Sequence, residues 1–500
     1  MGRSYEEDPL TAAMAPPENE TPAEREARER AEAEARRVSD EIDAQLRRER
    51  EGEKKRKPVK LLLLGQSESG KTATLKNFQL LYCKRQWSED RTSWRCVILL
   101  NLVRNINDIL DILGREMAAS SPALPAASSS NAFDDPPPRR QSASIGSSSR
   151  SSGLPPLKFK DKHRLLRLRL APLRRVQADL EHRLGAAATE LYTTTTTSAA
   201  PFDAPPPPKR EKEFSVHSTN GWKTALERFR AARRRSDDSS TGVLRKVRDM
   251  EDEVQGIIAG CRDDMRNVWE DRIVRDMLTR RKVRVEDSAG FFLNDIDRIA
   301  RTDYQITDDD IIRARLRTVG VQEYRVTFEH GHSAGSEWRM YDVGGTRSSR
   351  AAWYPYFDDV DACIFLAPVS CFDEKLAEDR RVNRLEDSYM LWKSVCSCKL
   401  LARTQLVLFL NKCDLLQAKL MRGAKIRDSV PSFGDRRNDV ATATRYFQQH
   451  FKEIQRTYSP VQRPFYVHLT SVIDTKSTAV TLGAVEESIL RDHLRRADLM

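Results

Sequence analysis

The stretch Val59–Gly65 (VKLLLLG) runs straight into Gly65–Thr72 (GQSESGKT), and nothing else in the chain restricts its fold as tightly. An unbroken apolar run closed by glycine reads as a strand buried on both faces, as in a parallel sheet. Residues 72–84, which follow, carry apolar side chains at helical spacing. Between the two, Gly65 to Thr72 match G-x-x-x-x-G-K-[ST] completely. Strand, glycine-rich loop and helix in that order make a phosphate cradle, because main-chain N–H groups point inward and the positive end of the helix helps to hold an anion. Lys71 would then reach the β and γ phosphates, and the Thr72 hydroxyl would ligate magnesium.

Two later strand ends add to this. Asn411-Lys412-Cys413-Asp414 follows QLVLFL, at the place where α/β sheets bind ligands. A carboxylate at Asp414 can accept hydrogen bonds from the N1–H and 2-amino group of guanine. Adenine offers a lone pair at N1 and no 2-amino group, so the same acid would go unpaired, and buried mismatches of this kind discriminate strongly. The base selected is guanine. Asp342-Val343-Gly344-Gly345 ends another strand. There the acid can hold a magnesium shell and the Gly345 amide can sense a γ phosphate, as in loops that collapse when that phosphate leaves.

The rest of the chain falls into blocks. Residues 1 to about 20 read as disordered. From about Thr21 to Lys57, Glu and Arg recur at helical spacing, which predicts a long solvated helix with a narrow apolar stripe of Val38, Ile42 and Leu46. Trp94–Leu113 is a strong amphipathic helix. Two tracts, about 119–156 and about 187–212, are rich in Ser, Thr, Pro and Ala; they cannot bury enough apolar surface to order themselves and read as loop insertions. Between them Leu157–Leu184 is basic and helical, and helices continue to about residue 303. Alternation then returns. EYRVTFEH and EWRMYD read as a hairpin, ACIFLAPVS, QLVLFLNKCD and FYVHLTSV as buried strands separated by helices, and a last helix starts near Leu482. The expected fold is a doubly wound α/β domain with a helical domain inserted after its first helix.

GQSESGKT, DIIRARLRTVG, DVGGTRSSR, NKCD and TSVIDT stand in the order and spacing of the signature motifs of heterotrimeric G-protein α subunits. The chain resembles that family, in a divergent form of fungal type, over about 55–114 and 240–500. WRCVILLNLVRNI and DSAGFFLNDIDRIA look like its helical domain. The resemblance implies a Ras-like doubly wound P-loop GTPase domain with an inserted all-α helical domain. Its segments would be an N-terminal head and charged βγ-facing helix over 1–54, GTPase domain over 55–88 and 309–500, and helical domain over 89–308. It also implies GTP/GDP and Mg2+ as cofactors, with a βγ dimer, a G protein-coupled receptor and an unidentified effector as partners. The protein would work in the cytoplasm and at the cytoplasmic face of the plasma membrane, with 482–500 facing the receptor.

Carried over residue by residue, Arg315 matches the built-in arginine finger that neutralises charge on the γ phosphate, as known for Gα subunits. Glu68 matches the acid paired with that arginine. Thr318 would complete the magnesium shell with Thr72 and, through water, Asp342. The nucleotide-binding set so implied is Gly65, Glu68, Ser69, Gly70, Lys71, Thr72, Arg313, Arg315 and Gly345, with Asn411, Lys412, Asp414 and Val472 at the base. Asp474, with the backbone of Ser471 and Val472, matches the loop that closes over guanine.

Four departures bear on activity. Thr346 stands where the family has the glutamine that orients the attacking water, and threonine is too short to hold both water and phosphate oxygen. Ser67 stands where the family usually has glycine, and its side chain crowds the same place. Slow hydrolysis and a long GTP-bound lifetime are therefore expected, with a constitutively GTP-bound scaffold of negligible turnover as the alternative. Val319 replaces a second threonine, a milder loss. At the N-terminus Gly2 permits myristoylation, but Glu6 disfavours it and no cysteine precedes Cys83, so membrane contact would depend on a βγ partner or basic patches.

Bulk properties exclude several other classes. No apolar run approaches the roughly 20 residues that span a bilayer, and the first residues lack the apolar core of a secretory signal. The cysteines are scattered without zinc-site spacing and read as small core residues. A net charge of +11 could suit anionic membrane or nucleic acid, but the basic stretch 158–175 reads as a solvated helix face and no nucleic acid is expected. Ser142 and Ser236 lie in strings that resemble kinase sites and arise readily in Arg/Ser-rich sequence. A P-loop ATPase or kinase is disfavoured by Asp414.

Overall fold

The computed structural model describes residues 22–56, 58–120, 157–184, 215–216, 253–281, 283–318 and 320–496. Expectations that fall on Gly2 and Glu6, on the two insertions beyond residue 120, on Ser142, Ser236 and Val319, and on residues 497–500 lie outside the described residues.

Residues up to Pro58 and those from Val59 onward form two units. The first contains helix α1 (Pro22–Arg56), as its alternating charges predict. Arg25 pairs with Glu29 at 3.0 Å and Arg37 with Glu34 at 2.6 Å, while Val38 and Ile42 stay exposed. Such exposed pairs add only a few tenths of a kcal/mol each, about 0.3–0.5.

In the second unit six strands form one sheet: β1 (Val59–Gly65), β2 (Val321–Thr327), β3 (Glu337–Val343), β4 (Ala362–Pro368), β5 (Gln405–Asn411) and β6 (Phe465–Leu469). Their spatial order is β2-β3-β1-β4-β5-β6. Only the β2–β3 pair is antiparallel, with Val321 opposite Val343, and β1 is central, with Leu63 beside Asp342 on one side and Ile364 on the other. The apolar run of β1 is explained by cover on both faces. Leu62 and Leu64 pack with Trp353, Phe365 and Trp392 on one side, and Leu61 and Leu63 with Phe78, Trp338 and Leu482 on the other. Helices α2 (Lys71–Tyr82) and α12 (Thr475–Arg496) cover the second face, and α9 (Arg384–Ser397) and α11 (Val440–Tyr458) the first.

The helical block has a core of its own. Helix α3 (Trp94–Ser120) buries Val97, Leu100, Val103, Ile106 and Leu110 against α4 (Asp161–Arg169), α5 (Pro172–Arg183), α6 (Arg262–Glu270) and α7 (Arg272–Arg280). It joins the sheet domain through α8 (Asp308–Arg313). Lys76 of α2, only 2% exposed, donates to the carbonyls of Ile311 at 2.8 Å and Ala314 at 2.7 Å and lies over the Trp94 ring. This is the α/β fold with an inserted helical domain that the alternation of patterns predicts.

Three details differ from expectation. The basic segment 157–184 is two helices, because Pro172 cannot continue a helix and instead starts the next one. Helix α3 continues past Leu113 to Ser120. The last helix begins at Thr475, not near Leu482: the Asp474 carboxylate accepts from the amides of Lys476 at 3.1 Å and Ser477 at 3.3 Å and starts it, a cap hidden by the polar run that follows. The eight cysteines are all free thiols, mostly buried, as small core residues should be. Among the described residues no helix is long and apolar enough to cross a membrane.

Candidate functional site

The site forms where β1, β3 and β5 end. Gly65 closes β1 with φ +142°, and a Cβ there would lie 2.4 Å from the carbonyl oxygen of Leu366. Gly70 opens α2 with φ +105°, and its Cβ would meet the Asn411 side chain at 2.4 Å. Glycine is thus demanded at both ends of the loop, by backbone angle and by space. Glu68 itself takes a left-handed backbone, φ 60°, an uncommon conformation for a residue with a side chain and one that marks a constrained loop.

Lys71 is buried inside this loop and donates to the carbonyls of Gly65 at 2.9 Å and Gln66 at 2.6 Å. Burial pushes its ammonium down to about 8, with Asp342 opposing. Thr72 Oγ1 donates to Asp342 Oδ2 at 2.6 Å, and that carboxylate is fully buried. A threonine hydroxyl and a carboxylate held together are hard-oxygen donors, the kind magnesium takes one or two of beside substrate phosphates. Ser69 Oγ is buried in the same loop with no hydrogen-bond partner among the described residues, an orphan that a phosphate oxygen would satisfy. The residues fit a nucleoside phosphate with its cation.

Gly345 lies directly on the loop. A Cβ on it would be 2.3 Å from both Gln66 C and Ser67 N. The Gly344 amide donates to Gly320 O at 2.7 Å, and Trp353 Nε1 donates to Gly344 O at 2.9 Å. Thr346 is buried, with Oγ1 bonded to Ser349 Oγ and 3.3 Å from Ser348 Oγ. Arg315 reaches Glu68 at 2.7 Å. Arg313 is not brought into this cluster: it donates to Phe291 O at 2.8 Å and pairs with Asp295 at 2.9 Å. The backbone of Thr318 pairs with Val216, and its side chain lies outside the described residues.

At the other end, Asn411 is fully buried and links two loops. Its amide donates to Ser69 O at 2.7 Å, while its Oδ1 accepts from Val472 N and Thr470 Oγ1, each at 3.2 Å. Val472 O in turn accepts from Asn77 at 2.8 Å. Lys412 has φ 64°, and burial lowers its ammonium against the pull of Glu68. Asp414 sits in the first turn of α10 (Cys413–Met421). Asp474 caps α12, with its carboxylate engaged by backbone amides.

Several residues here carry no local sequence signal. Asn101 of α3 clamps the Arg315 backbone from both sides, accepting from its amide at 2.7 Å and donating to its carbonyl at 3.0 Å. Arg384 donates to Ser67 O at 2.8 Å and pairs with Glu374 at 2.9 Å. Asp387 receives Arg350 at 3.0 and 2.5 Å and Gln66 at 2.6 Å. These partners lie far apart in sequence, 321 positions for Gln66 and Asp387, so only the folded chain reveals them.

Sheet order, phosphate loop and the two further strand ends define a P-loop nucleotide-binding protein of the Ras-like kind. A family model described as G-protein alpha subunit matches residues 36–489. The guanine nucleotide-binding protein alpha-4 subunit of Mycosarcoma maydis is 30% identical, over 99% of this chain and 96% of its own. A guanine nucleotide-binding protein subunit alpha of Candida albicans is 26% identical over 93% of this chain and 95% of its own, and the alpha-16 subunit of Caenorhabditis elegans is 35% identical over 47% and 64%. The chain belongs to the G-protein alpha subunit family, whose members bind guanine nucleotides and are GTPases. Membership in that family implies partnership with β and γ subunits.

Proposed function

We propose that this α subunit is a slow switch, which exchanges GDP for GTP at the prompting of a membrane receptor, passes the signal to an effector and hydrolyses GTP weakly. The observation that carries the reading is Thr346. Its hydroxyl is bonded to Ser349, and even if released the side chain is too short to span a water and a phosphate oxygen. Ser67 adds a side chain on the same loop. Catalysis of phosphoryl transfer rests almost entirely on positioning and electrostatics, so a lost water-holder costs rate directly.

In this reading Lys71 exchanges its two carbonyl partners for β and γ oxygens, and the amides of Glu68, Ser69, Gly70 and Gly345 face the phosphates. Arg315 leaves Glu68 to meet charge developing on the γ phosphate. Thr72, Thr318 and, through water, Asp342 would hold Mg2+, which would supply positive charge to offset that of the phosphates. Asn411 braces the loops while Lys412, Asp414 and Val472 hold the base. In this reading the segments are 1–54, which faces βγ, 55–88 and 309–500 for the GTPase domain, and 89–308 for the helical domain, which lids the nucleotide. The protein works in the cytoplasm and at the inner face of the plasma membrane through its partners.

Single-turnover hydrolysis of GTP with magnesium tests this. The expected rate falls well below the about 10⁻² per second known for Gα subunits with their arginine in cis, and GTP stays with the protein through purification. Turnover at that ordinary rate would overturn the slow-switch reading.

A further inference from the structure

We propose that residues 158–175 of the helical block, centred on α4, are a docking surface for an anionic lipid bilayer. This goes beyond the reading above, in which partners alone bring the protein to the membrane, and it does not depend on the nucleotide. The segment carries eight Lys and Arg against one acid, Asp161. Charge alone would make it a solvated helix face. What changes that is the direction of its leucines. Leu166, Leu170 and Leu173 are buried in the core of the helical block. Leu165 and Leu168 take no part in that core and are 53% and 72% exposed. At about 3.6 residues per turn, Leu168 stands opposite the buried edge formed by Leu166 and Leu170, and Leu165 lies one turn before it on the same outer face.

Part of the charge is occupied within the protein. Lys162 pairs with Asp271, Arg169 with Asp264 at 3.1 Å and Arg174 with Asp111, while the Arg167 guanidinium lies against Gly114 of α3. Lys158, Lys160 and Arg175 have no ion-pair partner among the described residues, and Arg164 has only the exposed Asp161 at 4.0 Å. All four of these cations are exposed, as the two leucines are. Apolar side chains pointing outward among cations suit a helix that lies in the plane of an anionic bilayer. The leucines enter the headgroup boundary, and the cations meet the negative lipid groups. The helix is already seated for this. Fully buried His163 bonds the Asp271 carboxylate at 3.3 Å and the Lys160 carbonyl at 3.2 Å, so docking orders little that is not ordered already. Nucleic acid is the other polyanion such a charge would attract. Sequence-tolerant binding of bases uses exposed aromatic rings, and the single Phe, Tyr or Trp of 157–184, Phe159, is half-buried and packed edge-on against His163.

Flotation of the full chain with vesicles of phosphatidylcholine, with and without phosphatidylserine, tests this. Binding should require phosphatidylserine and weaken steeply as salt rises from about 0.1 M to 1 M, which shrinks the screening length from about 10 to about 3 Å. The triple change Lys158→Gln, Lys160→Gln, Arg164→Gln should lower binding roughly 100-fold, at about fivefold for each cation near an anionic surface. Leu165→Ser with Leu168→Ser keeps every charge and should still lower binding by at least about tenfold, a loss that attraction between charges alone would not produce. Both variants alter exposed side chains only, so unfolding midpoints and guanine-nucleotide affinity should match wild type. Equal binding to neutral vesicles overturns the proposal, as does phosphatidylserine binding that neither variant lowers. A leucine variant that binds like wild type overturns the docked arrangement. Variants that lose affinity for a single-stranded RNA and keep vesicle binding would give the surface to nucleic acid instead. A protein that takes no guanine nucleotide sinks the functional reading, while the vesicle result still decides this one.

Discussion

Replacing Gly345 by alanine should uncouple nucleotide binding from the switch. The added Cβ would lie 2.3 Å from Gln66 C and Ser67 N and 2.5 Å from Gln66 O. Ordinary carbon contacts lie near 3.5–4.0 Å, so the segment must retreat from the phosphate loop by about 1 Å. All three obstructing atoms are main chain, fixed by the bonds of the cradle, so no rotamer change relieves them. Overpacking of this kind costs about 1–3 kcal/mol, which shifts the balance against the closed segment by roughly 5- to 150-fold. The cradle around Lys71 is untouched, so GDP binding should survive. The assay is Trp353 emission with a GTP analogue that resists hydrolysis: the Gly345→Ala protein should show a small or absent response and weaker analogue binding, with GDP affinity near that of wild type. A full emission response with unchanged analogue affinity would refute the steric argument.

Three other outcomes are expected. Asp414→Asn should cut GTP affinity steeply and allow binding of xanthosine triphosphate, whose C2 carbonyl accepts where guanine donates; competition between the two nucleotides measures it, and retained guanine preference would count against Asp414 as the base reader. Thr346→Gln combined with Ser67→Gly should raise single-turnover hydrolysis at least tenfold, in line with the gain from a positioned proton-transfer or water-holding group, roughly 10²–10⁴ at its upper range; an unchanged rate would mean that another group already places the water. In the helical block, burial works to raise the Asp310 carboxyl, but hydrogen bonds from Arg298, Thr307 and Tyr304 outweigh it and hold it at about 2. A carboxyl depressed in the folded state contributes stability that is present above its unfolded value of about 3.9 and is lost as pH falls toward 2. After allowance for screening around the exposed Arg298, that contribution is on the order of 1–2 kcal/mol. Unfolding midpoints of wild type and Asp310→Asn should therefore converge as pH drops from 5 to 2; parallel curves would show that Asp310 carries no such linkage.

Much of the candidate site was legible in the linear chain because its chemistry is local. A loop of glycines with Lys71 and Thr72 must follow a strand and open a helix, and those neighbours are adjacent in sequence. The β2–β3 hairpin and the buried strands β4 and β5 announced themselves the same way, by period and apolar content. The start of α12 was not legible, since Asp474 acts as a cap only through amides whose direction depends on where the preceding loop lies. Asn101 gripping the Arg315 backbone, and Gln66 completing the Asp387–Arg350 pair, were not legible at all. Short-range patterns record propensity and period, which each segment carries alone. The pairing of buried polar groups is decided by which segments packing brings together, and for these residues that choice was made by the tertiary fold.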